Sequence, residues 1–389
     1  MTAGEPAGTE LGQRQPPCSV DFGRPLVCVL GLPFDAIDLE QAVQRIRAAA
    51  FAGQRCFVST PNLNFAMTAR VDAAFRGAVL RSDLNLADGM PLVWTARLLG
   101  LPLTQRVSGA DVFEALRAHA GPPITVFLFG GPPGVAERAC GAINRGGSGM
   151  RCVGFDDAGF GTVESMSGDD RIDRINRSGA QFVIASLGAG KGQAWLERNA
   201  GRLTAPVLSH LGAVLNFVAG SVRRAPRWMI ASGLEWLWRV KEEPSLWRRY
   251  WHDGAGALGL LMTSVMPEAI AAWQARRHGS SASASAPARL EVSHSPRGHV
   301  LRLSGDWRSD GGVEALRSAL TKCAAGWGAP LQVDLAGIAG LGNASIAVLL
   351  VARGWFDAHG GLDVTGASPV LTASLRRGLV ADALLGGER

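Results

Sequence analysis

The chain has 389 residues, 47% of them hydrophobic and 19% charged, with a formal net charge of +6. That length holds two domains with a well-buried core, and the composition is that of a globular protein. The mild basic excess admits an anionic partner (nucleotide, phospholipid or nucleic acid) without selecting one, while the six scattered cysteines, with no CxxC pair, argue against a zinc site or disulfide frame. Cys18, Cys28, Cys56, Cys140, Cys152 and Cys323 read as buried free thiols in a reducing compartment.

Residues 1–22 are polar and lack an apolar signal core, so they read as a disordered leader. From residue 23 to 222, short apolar runs alternate with amphipathic segments. "LVCVLGLPF" precedes "DLEQAVQRIRAAAFAG"; "CFVSTPN", "LNLADG", "ITVFLFGG", "FVIASLGAG" and "PVLSHLG" each precede a helical pattern. Continuously apolar strands separated by such helices predict a Rossmann-like, mostly parallel α/β sheet with helices on both faces.

Residues 223–275 change character. Arg223 to His252 holds five of the eleven tryptophans, the only tyrosine, six arginines and a lysine. This stretch predicts a helical appendage. The apolar run from Gly254 to Pro267 reads as too short to span a bilayer. Residues 276–289, "RRHGSSASASAPAR", read as a flexible linker. Residues 290–389 predict a second, small α/β domain: two strands, a helix, a strand, a helix, a strand and a last helix.

Parallel sheets bind ligands at the carboxyl ends of their strands, so polar residues there are the candidates. They are Thr60, Asn62 and Asn64 in "STPNLN", Asp88 in "LADGM", Gly130, Gly131 and Gly134 in "LFGGPPG", and Gly188, Gly190, Lys191 and Gly192 in "LGAGKGQ". Glycine turns expose backbone N–H groups to a phosphate, yet they are also the ordinary junction of strand and helix. "GAGKGQ" is neither a P-loop nor a GxGxxG fingerprint, which leaves little for a nicotinamide-dependent oxidoreductase. Asp88 suits a general base, with a helix cap or turn aspartate as the alternative. Arg106 suits a phosphate or carboxylate, and Asp111 a helix cap. His210, between apolar neighbours, reads as a satisfied core histidine.

Taken in order, "TPN", "ADGMPLVW", "QRVSGAD", "VFLFGGPPGVAER", "HLGAVLNFVAGSVRRAPRWM", "GLEWLWR" and "EEPSLWRRY" resemble the WecG/TagA/CpsF family of bacterial glycosyltransferases, from about Val27 to Tyr250. The resemblance implies an inverting enzyme without metal or cofactor. It would move a sugar from a UDP-sugar to a lipid-linked saccharide acceptor in exopolysaccharide or other cell-surface polysaccharide synthesis. It implies a cytoplasmic protein held peripherally at the anionic inner face of the membrane, with no nucleic-acid partner. Asp88 becomes the base. Thr60, Asn62, Arg106, Gly130, Gly131, Gly188, Lys191, Gln193, Asn216, Arg224, Arg239 and Arg249 become substrate-binding residues, with Arg223 and Arg248 as further cations of a tail that closes over the site.

The chain departs from the family where Gly190, Gly192 and Gln193 replace a proline, a glutamine and a glutamate, at Asn216 in place of an aspartate, and at Leu246 near an arginine. These departures motivate an alternative, a catalytically degenerate member acting as a nucleotide-sugar or lipid-binding scaffold. "LQVDLAGIAGLGNASIAVLL" resembles a STAS domain, whose Asp-Ser-Ser-Gly pattern reads here Gly342-Asn343-Ala344-Ser345. That resemblance implies a module for a protein partner or a structural role, without the usual phosphoacceptor serine.

Overall fold

A computed structural model of the chain describes residues 20–159, 161–277, 286–295, 298–308, 310–325 and 329–386. All but the last three residues of the leader, and most of the Ser/Ala linker, lie outside the described residues.

The first apolar run does not join the main sheet. Leu26–Val29 (β1) and Leu32–Asp35 (β2) pair antiparallel as a separate hairpin. Leu30 and Gly31 at its turn take φ of 49° and 84°. Two successive positive φ values give the turn whose twist matches its flanking strands. Leucine is an unusual choice there, and for that reason the sequence reads as one strand.

Cys56–Ser59 (β3), Leu84–Asn85 (β4), Ile124–Gly130 (β5), Met150–Asp156 (β6), Phe182–Ser186 (β7) and Val207–His210 (β8) form one parallel sheet in the order β4-β3-β8-β7-β5-β6. Its strands alternate between two cores. Val126 and Leu128 of β5 face one, and Phe127 and Phe129 the other, where Phe129 stacks on Trp195 at 3.9 Å. The helices start and stop as their ends dictate. Leu39–Ala52, for example, begins at a reciprocal Asp38–Gln41 capping box and ends at left-handed Gly53.

The cysteine expectation needs correction. Helix Val135–Arg145 lies over β6, bringing the Cα atoms of Cys140 and Cys152 to 5.3 Å, and the two are disulfide-bonded. Packing of a helix on its adjoining strand closes a gap that spacing alone leaves open. Cys28, Cys56 and Cys323 are buried free thiols.

Arg289–Ser295 (β9), Gly298–Trp307 (β10), Leu331–Leu341 (β11) and Leu362–Thr365 (β12) form the second sheet, ordered β12-β11-β10-β9 with only the β9–β10 pair antiparallel. This small α/β domain shares a core with the first. Phe22, Leu26, Cys28 and Leu80 belong to the same buried cluster as Val348, Leu349 and Val351. Asn343 opens helix Asn343–Ala358 and zips onto the hairpin, accepting the Cys28 N–H and donating to the Cys28 carbonyl, each at 2.8 Å. The start of this helix is therefore covered by the chain's own hairpin, and Ser345 is fully buried.

Between the domains runs the Trp/Arg-rich tail: helices Arg227–Ala231 and Glu235–Glu242, then near-continuous helical structure from Pro244 to Arg277. Pro267 would crowd the carbonyl four residues before it, and the chain meets this with a π turn at Leu261–Val265. The expectation of a run too short to span a bilayer is thus corrected. Pro244–Ala271 is one helix of 28 residues, long and apolar enough to cross a membrane by length and composition.

Candidate active site

β3 is followed by β4 on one side, while the later strands β7 and β8 approach it from the other. The strand order reverses between β3 and β8, and a crevice opens at their carboxyl ends. The cleft has a volume of about 760 Å³. Thr60 and Asn62 follow β3, Asp88 follows β4, Gly131 follows β5, Gly188 and Lys191 follow β7, and Asn216 follows β8; all line the wall. Asn62 is fixed by capping helix Leu63–Val71 through the Phe65 N–H, at 3.2 Å.

Asp88 is no helix cap. The next helix, Met90–Leu98, starts at Gly89 without any side-chain cap bond. The Asp88 N–H bonds the Pro61 carbonyl at 2.9 Å, tying the exits of β4 and β3 together. Its carboxylate faces the cleft with 28% of the side chain open, and Arg106 Nη1 stands 3.5 Å from Oδ1. Arg106 is shared. It also donates to Glu235 Oε2 and to Asp111 Oδ2, both at 2.9 Å, and Arg224 closes on the other oxygen of Asp111. Three carboxylates therefore face two guanidiniums. Burial pushes the Asp88 carboxyl up to about 7; Arg106 works against the rise, and Glu235 and Asp111 add to it. A carboxyl poised near neutrality is suited to exchange a proton with a hydroxyl.

Asp111 does not cap its helix. Ser108 does, accepting the Asp111 N–H at 3.1 Å and donating its own hydroxyl to Asp111 Oδ2 at 2.6 Å. Burial alone would raise Asp111, but Ser108, Arg224 and Arg106 together hold it below the usual carboxylate range. Arg106 and Arg224 thus position carboxylates and lie off the cleft wall. Gly130 and Gln193 also lie off it. Gly130 packs where a Cβ would come within 2.8 Å of the Ser186 carbonyl, and Gln193 is buried, donating to Ser59 Oγ at 3.0 Å.

His210 matches the core reading. Its Nε2 lies 2.5 Å from the Leu187 carbonyl, so that nitrogen carries the proton, and burial lowers its pKa, keeping the ring neutral. The ring also borders the cleft. Gly192 makes room for it, since a Cβ there would stand 2.0 Å from His210 Cδ2; Gly190 meets only open space. Helix Ala189–Asn199 starts at Gly188 with no side-chain cap, which leaves its first N–H groups without intrahelical partners.

The tail adds Glu235, Arg239, Glu243, Leu246, Arg249 and Tyr250 to the wall. Arg239 lies over the Phe217 ring at 5.6 Å and Arg249 over Tyr250 at 5.2 Å. Arg223 and Arg248 are exposed and lie off the wall. Asn64 fastens the tail by donating to Asp253 Oδ2 at 3.1 Å, and burial raises the pKa of Asp253. Glu235 and Glu243 lie in "GLEWLWR" and "EEPSLWRRY" but are not singled out there as site residues, and Asp253 follows the last of these motifs. The Glu235–Arg106 bond spans 129 residues, and only the folded chain reveals it.

A family model described as "Glycosyl transferase WecG/TagA/CpsF family" matches residues 27–269, and one described as "Mlab, STAS domain" matches residues 290–386. Among curated proteins, the N-acetylglucosaminyldiphosphoundecaprenol N-acetyl-beta-D-mannosaminyltransferase of Bacillus spizizenii is 27% identical over 194 residues, 50% of this chain and 74% of that protein. The C-terminal domain is a STAS domain, and the chain belongs to the WecG/TagA/CpsF family of glycosyltransferases.

Proposed function

We propose that this glycosyltransferase moves a sugar from a UDP-sugar to a polyprenyl-diphosphate-linked saccharide at the inner face of the cell membrane, in surface-polysaccharide assembly. The relative's name supports the acceptor class, an N-acetylglucosaminyl-diphosphoundecaprenol. The observation that carries the reading is the division of the cleft. Asp88, poised at about 7, sits at the end of β4, while Lys191 and the uncapped helix start sit at the end of β7. In the sheet order β4 and β7 are three strand steps apart, roughly 14 Å at about 4.8 Å per step, which is room for a sugar between them.

In the step we propose, the Asp88 carboxylate takes the proton of the acceptor hydroxyl. The hydroxyl oxygen bonds to the anomeric carbon from the face opposite the diphosphate. The carbon–oxygen bond to the diphosphate breaks, UDP leaves with the electron pair, and configuration inverts. The helix N-terminus with Lys191, Arg239 and Arg249 receives the growing negative charge, and Thr60, Asn62 and Asn216 orient the sugars. Arg106, Asp111 and Arg224, off the cleft wall, and Glu235, on it, set the ionisation of Asp88.

Membrane association rests on the tail. Its helix buries Asp253, Leu260 and Ser264 against the protein, while Trp251, Leu258 and Met262, at the same seven-and-four spacing, are 75%, 57% and 62% exposed. An apolar face of this kind, flanked by Trp247 and the cations Arg248 and Arg249, suits an interfacial helix. The inward face, held by Asn64, favours lying along the surface over crossing it. The GAGKGQ loop, which motivated a non-catalytic scaffold, leaves the cleft unobstructed, because Gly190 opens space and Gly192 seats His210. A protein partner of the STAS domain would use a surface other than the start of helix Asn343–Ala358.

The test is turnover. Full-length protein is incubated with a panel of UDP-sugars and polyprenyl-diphosphate N-acetylglucosamine in detergent or anionic nanodiscs. UDP and a disaccharide product in equal amounts, lost with Asp88→Asn, support the reading. Binding without turnover across the panel favours the scaffold.

A further inference from the structure

A second cavity, of about 200 Å³, lies at the junction of the two domains and shares no lining residue with the catalytic cleft among the described residues. Arg70 and Arg76 enter it from the catalytic domain, at the end of helix Leu63–Val71 and on helix Ala73–Leu80. Arg376 enters it from the STAS domain, in the last turn of helix Pro369–Arg377. Asp382 is the one carboxylate among the described lining residues, and among those residues none of the three guanidiniums makes an ion pair with it or any other acid. Arg76 spends one hydrogen bond on the Ala69 carbonyl, at 3.2 Å. Three cations lining one small space repel one another, the more so where Arg76 is half-buried, and an anion between them removes that repulsion.

The backbone points to the same place. Among the described residues, Leu30 and Leu379 alone take a positive φ without being glycine, at 49° and 61°, and both line this cavity. Leucine is strained in the left-handed region, and backbone strain of this sort collects at ligand sites. The two turns touch. A Cβ on Gly31 would stand 2.6 Å from the Leu379 carbonyl oxygen, so only glycine lets the domains meet there.

We propose that this junction binds a single phosphate group, with Arg70, Arg76 and Arg376 as its ligands, and that the bound anion ties the STAS domain to the catalytic domain. The volume suits a phosphate and is small for a nucleotide. The phosphate comes from a free phosphate compound or from an anionic lipid headgroup. The second source is in reach because helix Leu63–Val71 packs against tail helix Trp247–Leu260, and Arg377, next to Arg376, pairs with Glu268 of the tail at 3.0 Å. The lipid source alone rests on the membrane reading above. The site itself does not.

The experiment compares the full-length protein, Arg76→Gln/Arg376→Gln, and Lys191→Gln as a control for the catalytic cleft. Equilibrium dialysis measures inorganic phosphate binding at low salt. Co-sedimentation measures binding to phosphatidylcholine vesicles with and without phosphatidylglycerol. For free phosphate as the source, wild type and Lys191→Gln hold one phosphate that the double variant loses, and phosphate raises Tm in wild type but not in the double variant. For a headgroup, the double variant binds phosphatidylglycerol vesicles about 25-fold more weakly, at about fivefold per arginine, and free phosphate does not compete. Arg70→Gln, at an exposed helix end, loses the phosphate or weakens vesicle binding about fivefold, and serves if the double variant proves unstable. Unchanged phosphate and vesicle binding in both arginine variants, or phosphate binding lost only in Lys191→Gln, overturns the proposal. Either result leaves sugar transfer in detergent, and the reading of the cleft, untouched.

Discussion

Replacing Asp88 by asparagine separates chemistry from folding, because the two effects run in opposite directions. The folded chain raises this carboxyl from 3.8 to about 7. Between those values the folded state holds a proton that the unfolded state has released. Stability therefore falls as pH rises through that window, and the whole deficit is present above pH 7. A rise of about 3 pH units at about 1.4 kcal/mol each sets an upper value of about 4 kcal/mol. The 28% of the side chain open to the cleft lowers this to about 2 kcal/mol after solvent screening. Asparagine keeps the shape without the charge, and Arg106 retains Asp111 and Glu235. At pH 8 Asp88→Asn should therefore be more stable than wild type by about 2 kcal/mol in urea melts, with the difference vanishing near pH 4. Transfer, followed by UDP release, should fall by about 10²–10⁴-fold, the usual contribution of a general base. Transfer within tenfold of wild type would remove Asp88 as the base. A variant less stable at pH 8 would refute the electrostatic account of the site.

Three further outcomes follow from the same contacts. The rising limb of kcat/KM against pH should sit near pH 7; Arg106→Gln should move it to higher pH and Glu235→Gln to lower pH, since the first removes a cation and the second an anion beside Asp88. Titration of transfer rate in the folded variants checks this, and shifts of the opposite sign would contradict it. Trp251→Ser, at a side chain 75% exposed, should weaken binding to phosphatidylglycerol vesicles by about tenfold, as loss of a large apolar contact predicts, while leaving the melting curve in place. Asn343→Ala should cost about 2 kcal/mol in chemical denaturation, because it strands the N–H and the carbonyl of Cys28 together.

The parallel sheet and the ring of Thr60, Asn62, Asp88, Gly131 and Gly188 were legible because β–α alternation puts every strand exit on one edge. Polar residues there have few other reasons to interrupt apolar runs. What the sequence hides are pairings across distance. Leu30-Gly31 carries none of the usual turn pairs, so the hairpin reads as a strand. Arg106 and Arg224 read as ligand arginines because Asp111 reads locally as a helix cap, and the bonds from Arg106 to Glu235 and from Arg224 to Asp111 cross 129 and 113 residues. Gly192 reads as a loss from a family motif until the His210 ring is seen against it. Cys140 and Cys152 meet only after a helix folds over its strand. The STAS domain reads as a separate module, and nothing near Asn343 in the chain announces that its amide clasps Cys28, 315 residues away.

Transfer from a UDP-sugar to polyprenyl-diphosphate N-acetylglucosamine by wild type and Asp88→Asn side by side, with the anomeric configuration of the product determined, is the decisive assay. Wild type should release UDP and product in equal amounts with inverted configuration, and Asp88→Asn should bind the same donor with turnover reduced at least a hundredfold. A product of retained configuration, or equal turnover by the two proteins, would contradict this mechanism.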